Sequence, residues 1–594
     1  MKKKFFVELI KPSHYDDDGY VIQWVKSWMP SSSLACLYGL SDDTVERQVL
    51  GDDVEIVLNA YDECNTVIPV KKIIRRIQQN DGCGLICMVG VQSNQFPRSI
   101  DMARQFRQAN ISVVIGGFHV SGCLAMLPEM PVDLKEALEL GITLFAGEAE
   151  GRLGDLLSDA YHGKLEPVYN YVLDLPDLQG TVPPYLPEAM VKKYVGTFTG
   201  FDAGRGCPFQ CSFCTIINVQ GRKSRFRTAD DIEKIIRTGM ETGLNRYFIT
   251  DDDFARNKNW EPIFDRLIEL REEFDGDLGF QIQVDALAHK ITGFVEKAAL
   301  AGVTKAFIGL ENINPENLLA ANKRQNKITE YRTMLQAWRN VGIITYAGYI
   351  LGFPADTPES IEEDIRIIQR ELPVDLLEFF NLTPLPGSAD HKKLYLEGVE
   401  MDPDMNNYDV EHVTTAHPKM SKEEWEGIYL KAWDLYYSPE HVETLMRRAA
   451  AISSNPEKQT ARLAYHVGMF YGTMIYEHVH PLQSGWFRRK IRTQRRYGLP
   501  RENPLIFYPR RVWEMIRTYG PIPWLAWKLM RTRRRVLNDP NMKSYTDLAL
   551  KPAESDDDEQ LELLNHTEAA RTVGLQRKNQ LKIVTPGDHI QRAA

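Results

Sequence analysis

The sequence predicts an α/β protein with a doubly wound parallel sheet, then a full or partial parallel (β/α) barrel, then a mostly helical region. Short apolar, β-branched runs alternate with helical periodicity over residues 1–165, and the alternation resumes over residues 196–400. Residues 401–535 lack a strand series and are rich in helix formers and aromatic residues. Because 594 residues exceed what one hydrophobic core accommodates, we expect several domains.

The first part, residues 1–165, has the alternation of a Rossmann-like or flavodoxin-like domain. Its predicted strands are Phe5–Ile10, Val54–Asn59, Gly84–Val91, Ile111–Ile115 and Ile142–Phe145, and its predicted helices include Val70–Gln79 and Ser99–Asn110. We interpret the apolar run after Lys2–Lys4 as the first strand and not as a signal peptide, because Glu8 interrupts it. Ligands of such sheets bind at the carboxyl ends of the strands.

The second part, residues 196–400, follows a proline-containing linker at residues 166–195. Its predicted strands are Tyr247–Thr250, Phe280–Val284, Ala306–Leu310, Thr345–Leu351 and Leu377–Leu382, with helices such as Ala229–Thr242 and Trp260–Phe274 between them. A repeated strand–helix pattern of this kind favours a parallel barrel, with its chemistry at the carboxyl ends of the strands. The tail at 536–594 contains the acidic run Ser555–Glu559 and is expected to be largely disordered.

Cysteine content and charge narrow the class of protein. The eight cysteines are sparse for this length, which favours a reducing cytoplasm over a disulfide scaffold. No apolar run approaches the ~18–20 residues that span a bilayer. The net charge is −10, but residues 481–540 hold fifteen Lys or Arg against three acidic residues, a local balance of +12. The basic part therefore predicts a surface partner.

Three cysteines, Cys207, Cys211 and Cys214, lie within one predicted loop and are close enough in sequence to bind one metal centre. A structural zinc site normally needs a fourth Cys or His, and a ferredoxin-type cluster needs four thiolates. Three thiolates on a [4Fe-4S] cluster leave one iron open to another ligand. The alternative is a loop of three cysteines that binds no metal.

This loop resembles the CxxxCxxC signature of the radical S-adenosylmethionine (SAM) superfamily, with Phe213 as the aromatic residue before the last cysteine. The resemblance implies that Cys207, Cys211 and Cys214 hold a [4Fe-4S] cluster whose open iron chelates the methionine part of SAM. It also implies that an electron from an external one-electron donor cleaves SAM and releases a 5'-deoxyadenosyl radical. The cofactor carries this chemistry, and the protein positions it and excludes water.

The same resemblance implies a SAM pocket at the carboxyl ends of the barrel strands. Asp251 and Asp252 end one strand where the family places groups that face the methionine amino group, although the common Gly-Gly-Glu is absent. Which of the two faces the ligand stays open. Glu311 ends another strand, Lys323 follows it and could pair with a carboxylate, and Gln283 is expected to face the barrel interior.

The first domain resembles the cobalamin-binding domain that precedes many radical SAM enzymes. Ser93 follows one predicted strand, and Gly116 and Gly117 follow the next, where glycines permit close approach to a ligand. The resemblance implies that these residues line the slot for cobalamin. The Asp-x-His-x-x-Gly that supplies a lower axial histidine in other cobalamin domains is absent, and we interpret His119 as a loop or core histidine. A degenerate domain without corrinoid is the alternative.

The basic region 481–540 interleaves Arg and Lys with Trp, Phe and Tyr. This pattern fits either a helix surface whose aromatics pack on the barrel or a site that docks on an anionic membrane, here the inner face of the cytoplasmic membrane. A role in nucleic-acid modification would require salt-sensitive RNA binding, and we expect no nucleic-acid partner.

Together these features predict a cytoplasmic, cobalamin-dependent radical SAM methyltransferase that acts on an unactivated carbon of a small-molecule or lipid-like substrate. Radical cyclisation or rearrangement would use the same residues, and a non-catalytic corrinoid or iron–sulfur protein is the alternative of another class. The sequence assigns no catalytic side chain beyond the cofactor ligands.

Overall fold

The computed structural model describes residues 2–552 and 561–583. The first part contains strands β1 (Lys3–Lys11), β2 (Gln23–Ser27), β3 (Val54–Asp62), β4 (Gly84–Met88), β5 (Ser112–Gly116), β6 (Thr143–Ala146) and β7 (Val168–Asn170). Its helices are α1 (Ser32–Glu46), α2 (Val70–Gln78), α3 (Phe96–Gln108), α4 (Phe118–Met126), α5 (Val132–Glu139) and α6 (Leu153–Tyr161).

Six of these strands form one parallel sheet in the order β3-β1-β4-β5-β6-β7, with β2 outside it. Apart from the added strand β7, this is the flavodoxin-like order, and it reverses between β1 and β4. Separate apolar clusters cover its two faces, so its central strands are almost wholly buried. The predicted doubly wound domain is therefore confirmed, with the sheet extended by β7.

The second part contains α7 (Glu188–Val191), β8 (Phe198–Phe201), β9 (Gly204–Arg205), α8 (Ile216–Val219), β10 (Arg225–Phe226), α9 (Ala229–Glu241), β11 (Arg246–Ile249), α10 (Trp260–Glu273), β12 (Gly279–Val284), α11 (Phe294–Leu300), β13 (Val303–Glu311), α12 (Pro315–Ala320), α13 (Tyr331–Asn340), β14 (Ile344–Leu351), α14 (Pro358–Glu371) and β15 (Leu376–Asn381). Strands β8, β11, β12, β13, β14 and β15 pair in parallel in chain order. Because β8 and β15 do not pair, the barrel is partial. Of the two predicted forms, the partial one is confirmed.

The third part contains α15 (Ala389–Glu397), α16 (Lys422–Tyr436), α17 (Pro439–Ile452), α18 (Pro456–Gly472), β16 (Gly485–Arg489), α19 (Pro504–Tyr519), α20 (Ile522–Leu537) and α21 (Glu568–Ile583). It is mostly helical, as predicted. Strand β16 pairs antiparallel with β2, which joins this part to the N-terminal domain. Among the described helices, none combines the length and the apolar character needed to cross a bilayer.

The C-terminal tail differs from the prediction of disorder where the structure describes it. Ala549, Leu561, Leu563 and Ala570 are buried, and the last three belong to the same apolar core as the barrel. The sequence signal was weak because these apolar residues contact helices far away in the chain. The acidic run Ser555–Glu559 lies outside the described residues.

Candidate functional site

The three candidate cluster ligands lie in the loop between β9 and α8, beside the carboxyl end of the first barrel strand. The Cys207 amide donates to the Gly221 carbonyl at 3.2 Å, and the Cys214 amide donates to the Cys211 carbonyl at 3.2 Å. The Gln325 side-chain amide donates to the buried Cys211 Sγ at 3.4 Å. The two backbone contacts shape the loop, and the Gln325 contact joins it to the segment that follows α12.

Two thiols of this loop, those of Cys207 and Cys214, are neutral without a metal. Burial raises the pKa of Cys207 to about 12 and that of Cys214 to about 11. A metal would displace these protons, because thiolates are the ligand form. Metal binding here is therefore coupled to loss of protons.

The three cysteines of the loop are the ligand type that an iron–sulfur cluster needs. Their side chains are not arranged as the ligands of one metal centre in this structure. In residues 2–552 and 561–577, no three His, Cys, Asp or Glu side chains form a ready metal site. Cys214 nevertheless lies near both other cysteines, since its charge raises the pKa of Cys207 and the charge of Cys211 raises the pKa of Cys214. Side-chain rotations on this one short loop would be needed to bring the three thiolates onto one cluster.

A buried ion pair lies beside the cysteine loop. Lys323, only 7% exposed, pairs with Glu311 at the end of β13. Burial alone would lower the pKa of Lys323, but the Glu311 carboxylate and the nearby Cys211 raise it. The Lys323 ammonium also lies 5.7 Å from the ring centroid of Phe213, which contacts Phe353 at 6.4 Å. The structure thus brings two predicted residues, Glu311 and Lys323, to the cysteine loop, where they lie beside Phe213.

The two adjacent acids after β11 have different surroundings. The Asp251 carboxylate is buried and accepts the Ala203 and Gly204 amides at 2.7 Å and the Asn257 amide at 2.8 Å. Asp252 accepts the Gly206 amide at 2.7 Å, next to the cysteine loop, and lines a cavity. Asp251 therefore holds the turn after β8 in place, whereas Asp252 is accessible to a ligand.

The two carboxyl groups also have raised pKa values. Burial raises the pKa of Asp251 to about 7 and that of Asp252 to about 7, although the hydrogen bonds they accept oppose it. Asp252 can accordingly either accept from or donate to a ligand near neutral pH.

The cavity that Asp252 lines has a volume of about 460 Å³ and lies between the first sheet and the barrel. From the sheet it is lined by Gly116 and Gly117, and from the barrel by Asp252 and Gln283. The Gln283 amide donates to the Asp251 carbonyl at 2.7 Å, which fixes its orientation. Four residues predicted from separate parts of the chain therefore line one cavity.

Gly117 is the closest point between two loops of the first sheet. It has φ +147°, and a Cβ there would lie 2.1 Å from the Val91 nitrogen. Only glycine tolerates both the dihedral and the approach. Gly116, whose added Cβ would lie 3.2 Å from the Phe145 carbonyl, is less constrained.

Ser93 lines a second cavity of about 560 Å³, which Gly116 and Gly117 do not line. The two cavities adjoin, because Ser33 and Gly90 line both. His119, which the sequence suggested to be a core residue, is buried and contacts Ser93 Oγ at 3.2 Å through Nδ1. Its other ring nitrogen lies 2.8 Å from Asp133 Oδ2, so both nitrogens have partners.

A charge network that the sequence analysis missed forms part of the cavity wall. Arg205 contacts Glu148 at 2.5 Å, Glu150 at 2.7 Å and Asp202 at 2.9 Å, and all four side chains are largely buried. Arg225 also contacts Glu148 at 2.5 Å. The available signal was the pair of acids directly after β6, which ends beside the glycine turn.

This network joins the two domains, so we expect Arg205→Ala to destabilise the protein. Glu150 would then keep no cationic partner among the described residues, and uncompensated buried charges of this kind cost about 3–5 kcal/mol. The measurement is the shift of the thermal or urea unfolding transition. The exposed Arg237, which pairs with Glu273 at the surface, is the matched control, and Arg237→Ala should change the transition little. Equal effects of the two variants would contradict a structural role for the network.

The partial barrel carries a three-cysteine loop beside the end of its first strand, and comparison with known proteins specifies the kind of domain. Residues 203–368 match the radical SAM superfamily. This match shows a radical SAM domain over that part of the chain.

Several relatives are methyltransferases. The chain is 26% identical over 354 residues to bacteriochlorophyllide d C-8(2)-methyltransferase of Chlorobaculum tepidum, a match that covers 55% of this chain and 72% of the relative. It is 26% identical over 295 residues to hopanoid C-2 methylase of Rhodopseudomonas palustris, covering 48% of this chain and 53% of the relative. The chain thus spans about half the length of the second relative.

The fold is that of solved radical SAM enzymes with a cobalamin-binding domain. The methyltransferase TsrM of Kitasatospora setae, solved with cobalamin and a [4Fe-4S] cluster, superposes with a TM-score of 0.55 at 13% identity, covering 78% of this chain and all of TsrM. OxsB, solved with aqua-cobalamin, superposes with a TM-score of 0.51 at 14% identity over 97% of this chain and 85% of OxsB. The predicted combination of a cobalamin-type domain and a radical SAM barrel is confirmed as a fold.

Proposed function

We propose that the protein is a cobalamin-dependent radical SAM methyltransferase that methylates an unactivated carbon. The observation that carries the proposal is the 460 Å³ cavity, in which the glycine turn of the flavodoxin-like sheet faces Asp252 beside the cysteine loop. When bound, the cluster with SAM supplies a carbon-centred radical, and cobalamin supplies the methyl group. The methyltransferase names of the relatives support this reaction class.

Different residues of the chain would bind the cluster, SAM and cobalamin. Cys207, Cys211 and Cys214 would hold the cluster. The Glu311–Lys323 pair and Asp252 would orient the methionine part of SAM by charge-assisted hydrogen bonds. The turn at Gly116–Gly117 would admit the corrinoid against the sheet, and Ser93 would line the adjoining space. An external electron donor would reduce the cluster.

The test is anaerobic incubation of the reconstituted protein with SAM, reductant and cobalamin. Formation of both 5'-deoxyadenosine and S-adenosylhomocysteine is the expected result. Deoxyadenosine alone would indicate the radical cyclase or rearrangement alternative. Absence of both products from a protein with full cluster and corrinoid content would instead favour a non-catalytic cofactor-binding protein.

We further propose that α19 and α20 dock on the surface of an anionic membrane. Along α19, four apolar side chains that are more than half exposed recur at helical spacing. They are Leu505, Tyr508, Val512 and Ile516. On α20 they are Trp524, Trp527 and Met530. Basic residues interleave with them, and Lys528 lies 3.5 Å from the Trp524 ring centroid. Exposed aromatic and basic side chains that lie together are more stable at the interface of an anionic bilayer than in bulk water.

The aromatics of this surface therefore do not pack on the barrel, which was the other interpretation of the sequence. Trp513, Trp524 and Trp527 are 66%, 53% and 51% exposed. Phe507 is the exception, since it is buried against Tyr20 at a ring distance of 5.5 Å. Contact with the inner face of a membrane would bring the protein to apolar substrates.

We expect the protein to sediment with vesicles of phosphatidylcholine and phosphatidylglycerol and less with vesicles of phosphatidylcholine alone. The double variant Trp524→Ser with Trp527→Ser should lower the partition coefficient about tenfold or more, because two large apolar side chains are removed from the contact. Tyr395→Ser, at a 39% exposed aromatic residue on α15, is the control and should partition like the unmodified protein. Equal partition of the double variant and the control would contradict docking through α20.

A further inference from the structure

The lower half of the barrel contains a chamber of about 790 Å³, which none of the cofactor candidates except Gln283 lines. Its volume lies within the range of about 300–1,000 Å³ that is usual for small-molecule sites. Its wall is mostly apolar and includes the aromatic side chains of Phe198, Phe248, Phe307, Tyr465 and Phe470. Tyr465 and Phe470 come from α18, which covers the side of the barrel that strand pairing leaves open.

Two cations line this apolar chamber without a bound counter-charge. Lys305 on β13 and Arg462 on α18 make no side-chain hydrogen bond and no ion pair with any described residue. Nδ1 of His466, one turn further along α18, is buried and lacks a hydrogen-bond partner as well. A buried polar atom without a partner costs free energy, and two partly buried cations without a counter-ion line the same space, so this cluster indicates a ligand.

Glu378 is the one acid among the residues that line the chamber, and it does not neutralise these cations. Glu378 accepts a hydrogen bond from the Tyr346 hydroxyl, and burial raises its pKa to about 8, although Lys305 opposes this. Burial lowers the pKa of Lys305 to about 8, although Glu378 opposes this. Arg246, the remaining cation of the wall, pairs with Asp277 at 3.3 Å. Near neutral pH the chamber therefore has an excess of positive charge.

The chamber also leads to the cofactor cavity. Gln283 lines both spaces, so a molecule held in the chamber can extend to the cavity that Asp252 and Gly117 line. Met29 and Leu482 line both the chamber and the second cavity, beside Ser93. The three spaces thus meet around the open side of the barrel.

We propose that this chamber binds the methyl-acceptor substrate and that the substrate is an amphiphile with an apolar body and one carboxylate, which Lys305 and Arg462 bind. That the ligand is a methyl acceptor rests on the proposed methyltransferase function. That it is a carboxylate with an apolar body rests on the residues of the chamber alone. The apolar body lies against the aromatic wall, and its far end reaches the methyl source past Gln283. A carboxylate suits Arg462 because guanidinium binds it in a bidentate way.

The experiment compares two radiolabelled probes of equal chain length, dodecanoate and 1-dodecanol, by equilibrium dialysis against the full-length reconstituted protein. We expect dodecanoate to bind more tightly than dodecanol. Lys305→Met and Arg462→Met should each weaken dodecanoate about tenfold and change dodecanol by less than about twofold, because hydrogen bonds between charged groups are lost only with the acid. Lys458→Met, which removes an exposed charge from the same helix as Arg462, should change neither affinity.

Two results would overturn the proposal: unchanged dodecanoate affinity in Lys305→Met, or an equal loss of dodecanol, which would indicate damaged packing and not a lost charge. Thermal unfolding checks that Lys305→Met folds, and because the variant removes a desolvated ammonium, its unfolding temperature should not fall. The dialysis contains neither SAM nor reductant. It can therefore fail while deoxyadenosine and S-adenosylhomocysteine still form, or succeed when they do not, which separates this proposal from the proposed function.

Discussion

Replacement of Cys211 by alanine is expected to remove the iron–sulfur absorbance of the reconstituted protein and to reduce deoxyadenosine formation to the level without enzyme. Cys211 is the most buried of the three cysteines of the loop, and Gln325 holds its sulfur at 3.4 Å. Two thiolates cannot retain a cluster that needs three protein ligands and one open iron. Cys214 is the last cysteine of the sequence, so no further cysteine of the barrel can replace Cys211. Iron analysis, visible absorbance and product quantification measure the effect.

The control for this loss is Cys83→Ala, which removes a half-buried thiol just before β4 that lines none of the three cavities described above. It should retain full iron content and full deoxyadenosine formation. Because Cys211 is buried, its variant also needs a folding check, and Cys214→Ala, at a less buried position, provides a second test with the same expected loss. Iron retention in both loop variants would show that these cysteines do not hold the cluster.

Much of this site could be predicted because its signals are local in sequence. The spacing of Cys207, Cys211 and Cys214 is sufficient for a three-thiolate loop, and two glycines after a strand are sufficient for a close approach to a ligand. The strands themselves were predicted well because both sheets are parallel and covered on both faces, which makes their sequences continuous apolar runs. The order of strands and helices along the chain then restricted the possible topologies to a few.

Other parts of the site depend on contacts between distant segments and left no local signal. Adjacent acids at a strand end look equivalent in sequence, yet Asp251 turns inward because the Ala203 amide, 48 residues earlier in the chain, needs an acceptor. The same applies to Glu148 and Arg205, which are 57 residues apart. The lower chamber exists only because α18 covers the gap between β8 and β15. Periodicity predicted that helix but not the surface against which it packs.

Introduction of a large side chain at Ser33 is the second change with a large expected effect. Ser33 lies in the first turn of α1, is exposed, and lines both the cavity of Gly116 and Gly117 and the cavity of Ser93. Ser33→Trp should therefore project an indole into the space assigned to cobalamin. Overfilling a packed site costs about 1–3 kcal/mol, so corrinoid content after supplementation should fall about tenfold or more. Absorbance of the purified protein and cobalt analysis measure it.

The choice of Ser33 separates a blocked cavity from an unfolded domain. Gly117→Ala would meet the Val91 nitrogen at 2.1 Å and disturb the sheet itself, so its loss of cobalamin would not identify the cavity. Ser33, by contrast, contributes no buried side chain to the core. Glu46→Trp, at an exposed position at the other end of α1, introduces the same indole away from the cavity and should retain corrinoid. Since the cysteine loop is untouched, both variants should keep the iron content of the unmodified protein. Normal corrinoid uptake by Ser33→Trp would place cobalamin elsewhere and remove the basis for a two-cofactor site between the sheet and the barrel.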